Sequence, residues 1–131
     1  MPFAAPERPV LVVEDHDDTR QMVQDFLDSH GFHTVGAPNG AVGLTILKDH
    51  RPCLILLDLT MPIMDGWRFR EEQSRLGDRQ LKDTPVLILS ALPDLERQAR
   101  ALGAVDVIPK PIDFDRMLDV VRAHCGDPEA T

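Results

Sequence analysis

Two stretches of this 131-residue chain are apolar without interruption: VLVV at Val10–Val13, and LILL within the run CLILL at 53–57. A strand covered on one face alternates apolar with polar side chains. An unbroken run of strand length belongs instead to a strand buried on both faces, as in a parallel sheet. Three further short runs, Thr34–Ala37, 85–89 and 105–108, also read as strands. Amphipathic stretches with readable ends lie between them. Asp17 or Asp18 is placed to cap a first helix with an apolar stripe of Met22, Val23, Phe26 and Leu27, and Gly31 suits its end. Asn39 opens a second helix with Val42 and Ile46 on one face. A third, over 65–76, carries the weakest pattern, because it runs RFREEQSRL after Trp67. Asp94 opens a fourth, with Leu95, Ala99 and Leu102 in register before Gly103. Asp113 opens a fifth, with Phe114, Met117, Leu118 and Val121 at helical spacing.

Strand and helix therefore alternate five times. That pattern predicts an α/β fold, a doubly wound five-stranded parallel sheet with helices on both faces. Right-handed crossovers leave few topologies, and the flavodoxin-like strand order 2-1-3-4-5 is the one expected. Ligands of such sheets bind beyond the carboxyl ends of the strands, near the point where the order reverses.

The length fits one domain with one core. It is expected over 9–125, with an N-terminal extension at 1–8 and a loose tail at 126–131. The net charge is −8 and no run of Lys or Arg marks a basic face, which argues against direct nucleic-acid binding. The apolar runs are too short to span a bilayer. The opening residues, with prolines and a Glu–Arg pair, lack the apolar core of a signal peptide, so a cytoplasmic protein without membrane insertion is expected. Cys53 and Cys125 are not spaced as a metal or redox pair and are expected to be reduced thiols, Cys53 buried at a strand start. His16, His30, His33, His50 and His124 show no metal spacing, and His16 reads as a solvated loop residue.

At the strand ends stands a distinctive set. Strand one ends in Glu14–Asp15, strand three in Asp58 followed by Thr60, strand four in Ser90–Ala91, and strand five leads to Lys110–Pro111. Taken singly, the acids beside the first helix read as helix-start charges, Ser90 as a strand-end hydroxyl and Lys110 as a solvated surface charge. Together they do not. Two carboxylates about 4 Å apart repel by about 4 kcal/mol at an effective dielectric near 20. Three such pairs cost on the order of 10 kcal/mol, comparable with the stability of a small domain. The cluster must hold a cation, take a proton or splay apart. Oxygen donors without a His or Cys ligand pattern favour a hard ion, Mg²⁺ before Zn²⁺. Beside such an ion a phosphoryl group is attracted, Lys110 and Ser90 offer a charge and a donor, and a carboxylate can act as nucleophile.

The stretches VLVVEDHDDTR, LILLDLTMPIMDG, PVLILSA and IPKP resemble the receiver domain of two-component response regulators, over nearly the whole chain. The resemblance implies that Asp58 is the phosphoacceptor. It implies that Asp15, Asp58 and the backbone carbonyl of Thr60 bind Mg²⁺ directly, with Glu14 acting through water. Ser90, the Ala91 amide and Lys110 would grip the phosphoryl oxygens, and the Lys110–Pro111 bond would be cis. A stand-alone receiver without an output domain is implied. It would be no enzyme beyond self-catalysed phosphotransfer and autodephosphorylation. The donor would be a sensor histidine kinase or a histidine phosphotransfer protein, and an unnamed downstream protein would be the target. Two features depart from the family pattern. Val107 stands three before Lys110, where an aromatic is usual. Only 19 residues separate Ser90 from Lys110, so a short loop is expected before the fourth helix.

Three other functions compete. A flavodoxin-type cofactor binder would need a Ser/Thr/Gly-rich phosphate loop, and EDHDDTR is opposite in charge. A haloacid-dehalogenase-type phosphatase would need an Asp two residues after Asp58, where Thr60 stands. A degenerate receiver serving as a phosphorylation-independent scaffold is opposed by competent residues at all five positions.

Overall fold

A computed structural model describes residues 8–129; residues 1–7 of the expected N-terminal extension and 130–131 of the expected tail lie outside the described residues. In chain order the elements are β1 (Val10–Val13), α1 (Asp17–Ser29), β2 (Thr34–Ala37), α2 (Gly40–His50), β3 (Leu54–Asp58) and α3 (Gly66–Ser74). Then follow α4 (Arg79–Lys82), β4 (Val86–Ser90), α5 (Leu95–Leu102), β5 (Asp106–Pro109) and α6 (Phe114–Cys125). The five strands form one parallel sheet in the order β2-β1-β3-β4-β5, as the alternation of elements predicts. The first two strands match their expected bounds. The other three each begin and end one residue later than the hydropathy suggests, because the ladder runs on through Asp58, Ser90 and Pro109.

Successive strand residues face opposite sides, and two apolar layers result. Val10, Val12, Leu54, Leu56, Leu87, Leu89 and Ile108 pack against α1 and α6 through Val23, Leu27, Met117, Leu118 and Val121. Leu11, Val13, Ile55, Leu57, Val86, Ile88 and Val107 pack on the other side with Leu47, Phe69, Leu81 and Ala99 of α2, α3, α4 and α5. The central strands β1, β3 and β4 are buried throughout, which is why their sequences do not alternate.

Several expectations change. The N-cap of α1 is His16, not Asp17 or Asp18: its Nδ1 accepts from the Thr19 amide at 3.3 Å, while both acids occupy the first helical turn. His16 is thus a helix cap and not merely a solvated loop residue. Met22 is 56% exposed, leaving Val23 and Leu27 as the buried stripe of α1. Asn39 does cap α2, accepting from the Val42 amide at 3.0 Å. The buried face of that helix is nevertheless Gly40, Gly43 and Leu47; Ile46 packs against the core partly buried, and Val42 is exposed. A Cβ on Gly43 would lie 3.1 Å from both Phe69 and Val13, so α2 packs closely through its small residues and turns Val42 outward.

Helix α4 has no counterpart in the expected pattern. Its single turn, RQLK, holds one apolar residue, the buried Leu81, and so shows no period; Asp78 caps it. The cysteines are not reduced thiols. Cys53, buried just before β3, is disulfide-bonded to Cys125 at the end of α6, with Cα atoms 5.4 Å apart. Nor is the start of the tail loose. Glu129 pairs with His30 Nδ1 at 2.8 Å and with Arg122 at 3.3 Å, and Asp127 pairs with Arg122 at 3.4 Å.

Candidate functional site

Parallel pairing puts the carboxyl ends of β1, β3, β4 and β5 side by side. The register sets Asp58 of β3 beside Leu89 and Ser90 of β4 beside Pro109, one residue before Lys110. Glu14 and Asp15 follow β1 directly, and β1 lies next to β3. Residues distant in the chain thereby meet at one edge.

Glu14, Asp15 and Asp58 each present a carboxylate oxygen, and these three atoms lie within 4.8 Å of one another. Glu14 and Asp58 are buried, and Asp15 is exposed. Lys110 reaches into the group, pairing with Glu14 and standing 3.5 Å from Asp58 Oδ2. Burial alone would push the Lys110 pKa down. The hydrogen bond to Glu14 and the charges of Asp58 and Glu14 more than offset that, and the pKa is raised. Asp15 has a raised carboxyl pKa, first through partial desolvation and then through the neighbouring Glu14, against a smaller opposing pull from Lys110.

Backbone contacts hold the acids in place. The Glu14 amide donates to Ala37 O at 3.0 Å, and Arg20 donates to Glu14 O at 2.8 Å. The Thr60 amide donates to Asp58 Oδ1 at 3.3 Å, so the loop after β3 folds back over the carboxylate. That loop is tied down by the Gly66 amide on Leu59 O at 2.9 Å and the Gly40 amide on Met64 O at 3.0 Å. Ser90 is buried, and its Oγ accepts from the Leu92 amide at 3.1 Å. The Lys110 amide donates to Ser90 O at 2.9 Å, and the Lys110–Pro111 bond is cis. Of the residues singled out in the sequence, Glu14, Asp15, Asp58 and Lys110 are brought into one cluster. Thr60 and Ser90 stand at its rim, joined to it through backbone.

The donor set suits a hard divalent ion. Mg²⁺ keeps oxygen ligands at about 2.0–2.1 Å, so two of its ligands lie no more than about 4.2 Å apart. The three carboxylate oxygens, within 4.8 Å of one another, would have to draw together around such an ion. What sequence reasoning missed is the pair of tethers behind the site, His16 capping α1 and Arg20 on the Glu14 carbonyl. Neither has a spacing that announces it.

The loop after Ser90 is short, as expected: only residues 91–94 separate β4 from α5, and Asp94 has a left-handed backbone, φ +56°. Val107 is buried in the layer beneath α5. No helix among the described residues is long and apolar enough to cross a membrane.

Residues 10–122 match the family described as the response regulator receiver domain. The chain is 28% identical over 120 residues to the polar-differentiation response regulator DivK of Brucella anthropi, covering 90% of this chain and 96% of that one. It is 34% identical over 115 residues to the regulatory protein AtoC of Escherichia coli, covering 86% of this chain but only 24% of that longer protein. Among solved structures, a response regulator receiver protein from Pseudomonas putida superposes with a TM-score of 0.83 at 26% identity, covering 92% of this chain and 99% of that one.

Proposed function

Because the chain belongs to the response regulator receiver domain family of two-component signalling, we propose that Asp58 is its phosphoacceptor, taking a phosphoryl group from a histidine kinase or histidine phosphotransfer protein. Phosphoacceptance is general to the family, as is Mg²⁺ binding in an acidic pocket. The observation that carries the assignment is the buried Asp58 carboxylate held between Glu14, Asp15 and the Lys110 ammonium.

In the transfer, a carboxylate oxygen of Asp58 attacks the phosphorus of a phosphohistidine. The P–N bond breaks, the imidazole leaves with the bonding pair and takes up a proton, and an acyl phosphate remains on Asp58. Lys110 stands where a phosphoryl oxygen would arrive, and its raised pKa keeps it charged at neutral pH. Ser90 Oγ would turn from the Leu92 amide to donate to a second oxygen, and the Ala91 amide would donate to a third. Glu14, Asp15, Asp58 and the Thr60 carbonyl would hold Mg²⁺, which when bound neutralises the negative charge gathered there. The altered loop after Ser90 would then change which protein the domain binds.

The test is direct. Incubated with Mg²⁺ and acetyl phosphate, the protein gains one phosphoryl group that hydroxylamine removes, and Asp58→Asn abolishes the gain. Undiminished labelling of that variant, or label on a histidine, overturns the assignment.

A further inference from the structure

At the end of the sheet away from the acidic cluster, Cys53 and Cys125 are bonded across a sequence separation of 72 residues. Their positions give the bond a definite mechanical role. Cys53 immediately precedes β3, whose other end is Asp58; Cys125 is the last residue of α6, the helix that follows Lys110. Segment 110–125 is thus joined to β3 at both ends. The front link is the ion pair of Lys110 with Asp58 at 3.5 Å, and the back link is the disulfide.

Elsewhere α6 is held by apolar packing, with Met117, Leu118 and Val121 buried on the sheet. Those side-chain contacts with the sheet are made independently of the bond, so α6 stays on the sheet when the bond opens. What depends on it is the last turn of α6 and the residues beyond. After Gly126 the chain is fastened by partly exposed polar contacts, Glu129 with His30 and with Arg122, and Asp127 with Arg122. Pairs near the surface are each worth about 1 kcal/mol or less.

The two sulfurs also differ in access. Cys53 is only 8% exposed, while Cys125 is half-buried at a helix end. A small reagent therefore reaches Cys125 first, with Cys53 behind it as the resolving thiol.

We propose that Cys53 and Cys125 form a reversible redox lock, closed by a low-molecular-weight disulfide such as oxidised glutathione, that fastens the end of the C-terminal helix to the strand carrying Asp58. The Cys125 thiolate attacks one sulfur of the oxidised reagent, forming a mixed disulfide and releasing one thiolate. The Cys53 thiolate then displaces the second, and the two protons lost by the cysteines pass to the two released thiols. Two protein thiols are oxidised and one small disulfide is reduced. Opening runs the same exchange backwards, with a small thiol attacking at the accessible Cys125 sulfur.

Full-length protein is equilibrated at graded ratios of oxidised to reduced glutathione, quenched with acid and alkylated, and its free thiols are counted by mass. Both cysteines are expected to lose reactivity together at one ratio, with no glutathione retained. On reduction under native conditions the melting temperature falls by on the order of 10 °C, from the closure of so long a loop. Amide exchange over 121–129 accelerates at least tenfold. Cys125→Ser and Cys53→Ala both behave as the reduced protein at every ratio; the first alters only a half-buried helix end and so keeps the comparison valid if the second fails to fold. The proposal is overturned if both thiols stay alkylatable under oxidised glutathione, if one glutathione remains attached, if closing the bond leaves the melting temperature and exchange unchanged, or if the bond yields only after the protein is denatured.

Discussion

Replacing Gly66 by alanine sets two effects of opposite sign against each other. Gly66 is the first residue of α3, where alanine should gain about 0.5–1 kcal/mol over glycine by helix preference and lower unfolded-state entropy. A Cβ built there, however, lies 2.6 Å from the Asp58 carbonyl oxygen and 2.8 Å from the Leu59 Cα. Carbon atoms rest about 3.5–4.0 Å from their neighbours, so the start of α3 must withdraw by about 1 Å. Both opposing atoms are backbone atoms at the end of a central strand, and neither can swing aside. Overpacking of this kind costs about 1–3 kcal/mol, and rigid partners place this case near the top of that range. Withdrawal also stretches the bond from the Gly66 amide to Leu59 O, now 2.9 Å, for about 1 kcal/mol more. The net expectation is a loss of about 3 kcal/mol, read as a lower urea midpoint at an unchanged slope. Since the clash falls on Asp58 itself, labelling by acetyl phosphate should slow as well. Gly77→Ala is the control, because no atom lies within 4 Å of its added Cβ; it should be neutral or gain up to about 1 kcal/mol. If Gly66→Ala is as stable as the parent, or follows Gly77→Ala, the close approach of α3 to the end of β3 is refuted.

Three further outcomes are expected. Asp15 has a raised folded-state pKa, so its ionisation weakens the metal-free fold as the pH rises from about 4 towards neutrality; Asp15→Asn should melt higher than the parent at pH 7, no higher below pH 4, and without the gain that Mg²⁺ gives the parent, all readable by thermal melts. Ile63 is 85% exposed with φ +68°, a left-handed backbone that strains a β-branched residue by about 1–2 kcal/mol. Ile63→Gly should therefore stabilise by about 0.5–1 kcal/mol after the entropy of glycine is deducted, and a loss in the same urea melt would contradict this. Finally, Val107 is small and stiff at χ1, with no large inward and outward positions to exchange. Beryllofluoride should then shift the backbone NMR signals of residues 91–95 far more than those of 105–108, and the reverse order would refute that account of switching.

The amino-acid sequence alone determined the layers, the strand order and the membership of the acidic cluster. Unbroken apolar runs demand burial on both faces, and once the sheet is parallel its strand ends must converge, so Glu14, Asp15, Asp58 and Lys110 are legible as partners before any coordinate is known. Helix starts were legible where a side chain caps its own turn, at Asn39, Asp65 and Asp113. Three things were decided only in three dimensions. Val42 turns outward because α2 packs closely through Gly43 against Val13 and Phe69 and through Gly40 against Met64, and such an approach depends on what stands opposite. His16 displaces Asp17 as the cap of α1 because the loop from β1 brings its Nδ1 to the Thr19 amide. Cys53 and Cys125 are 72 residues apart, a separation that says nothing about distance; it is the packing of α6 against the sheet that brings their Cα atoms to 5.4 Å. Periodicity reports which face of an element is buried, whereas pairings between elements depend on how closely those faces approach, and that is set by side-chain volumes on both sides at once.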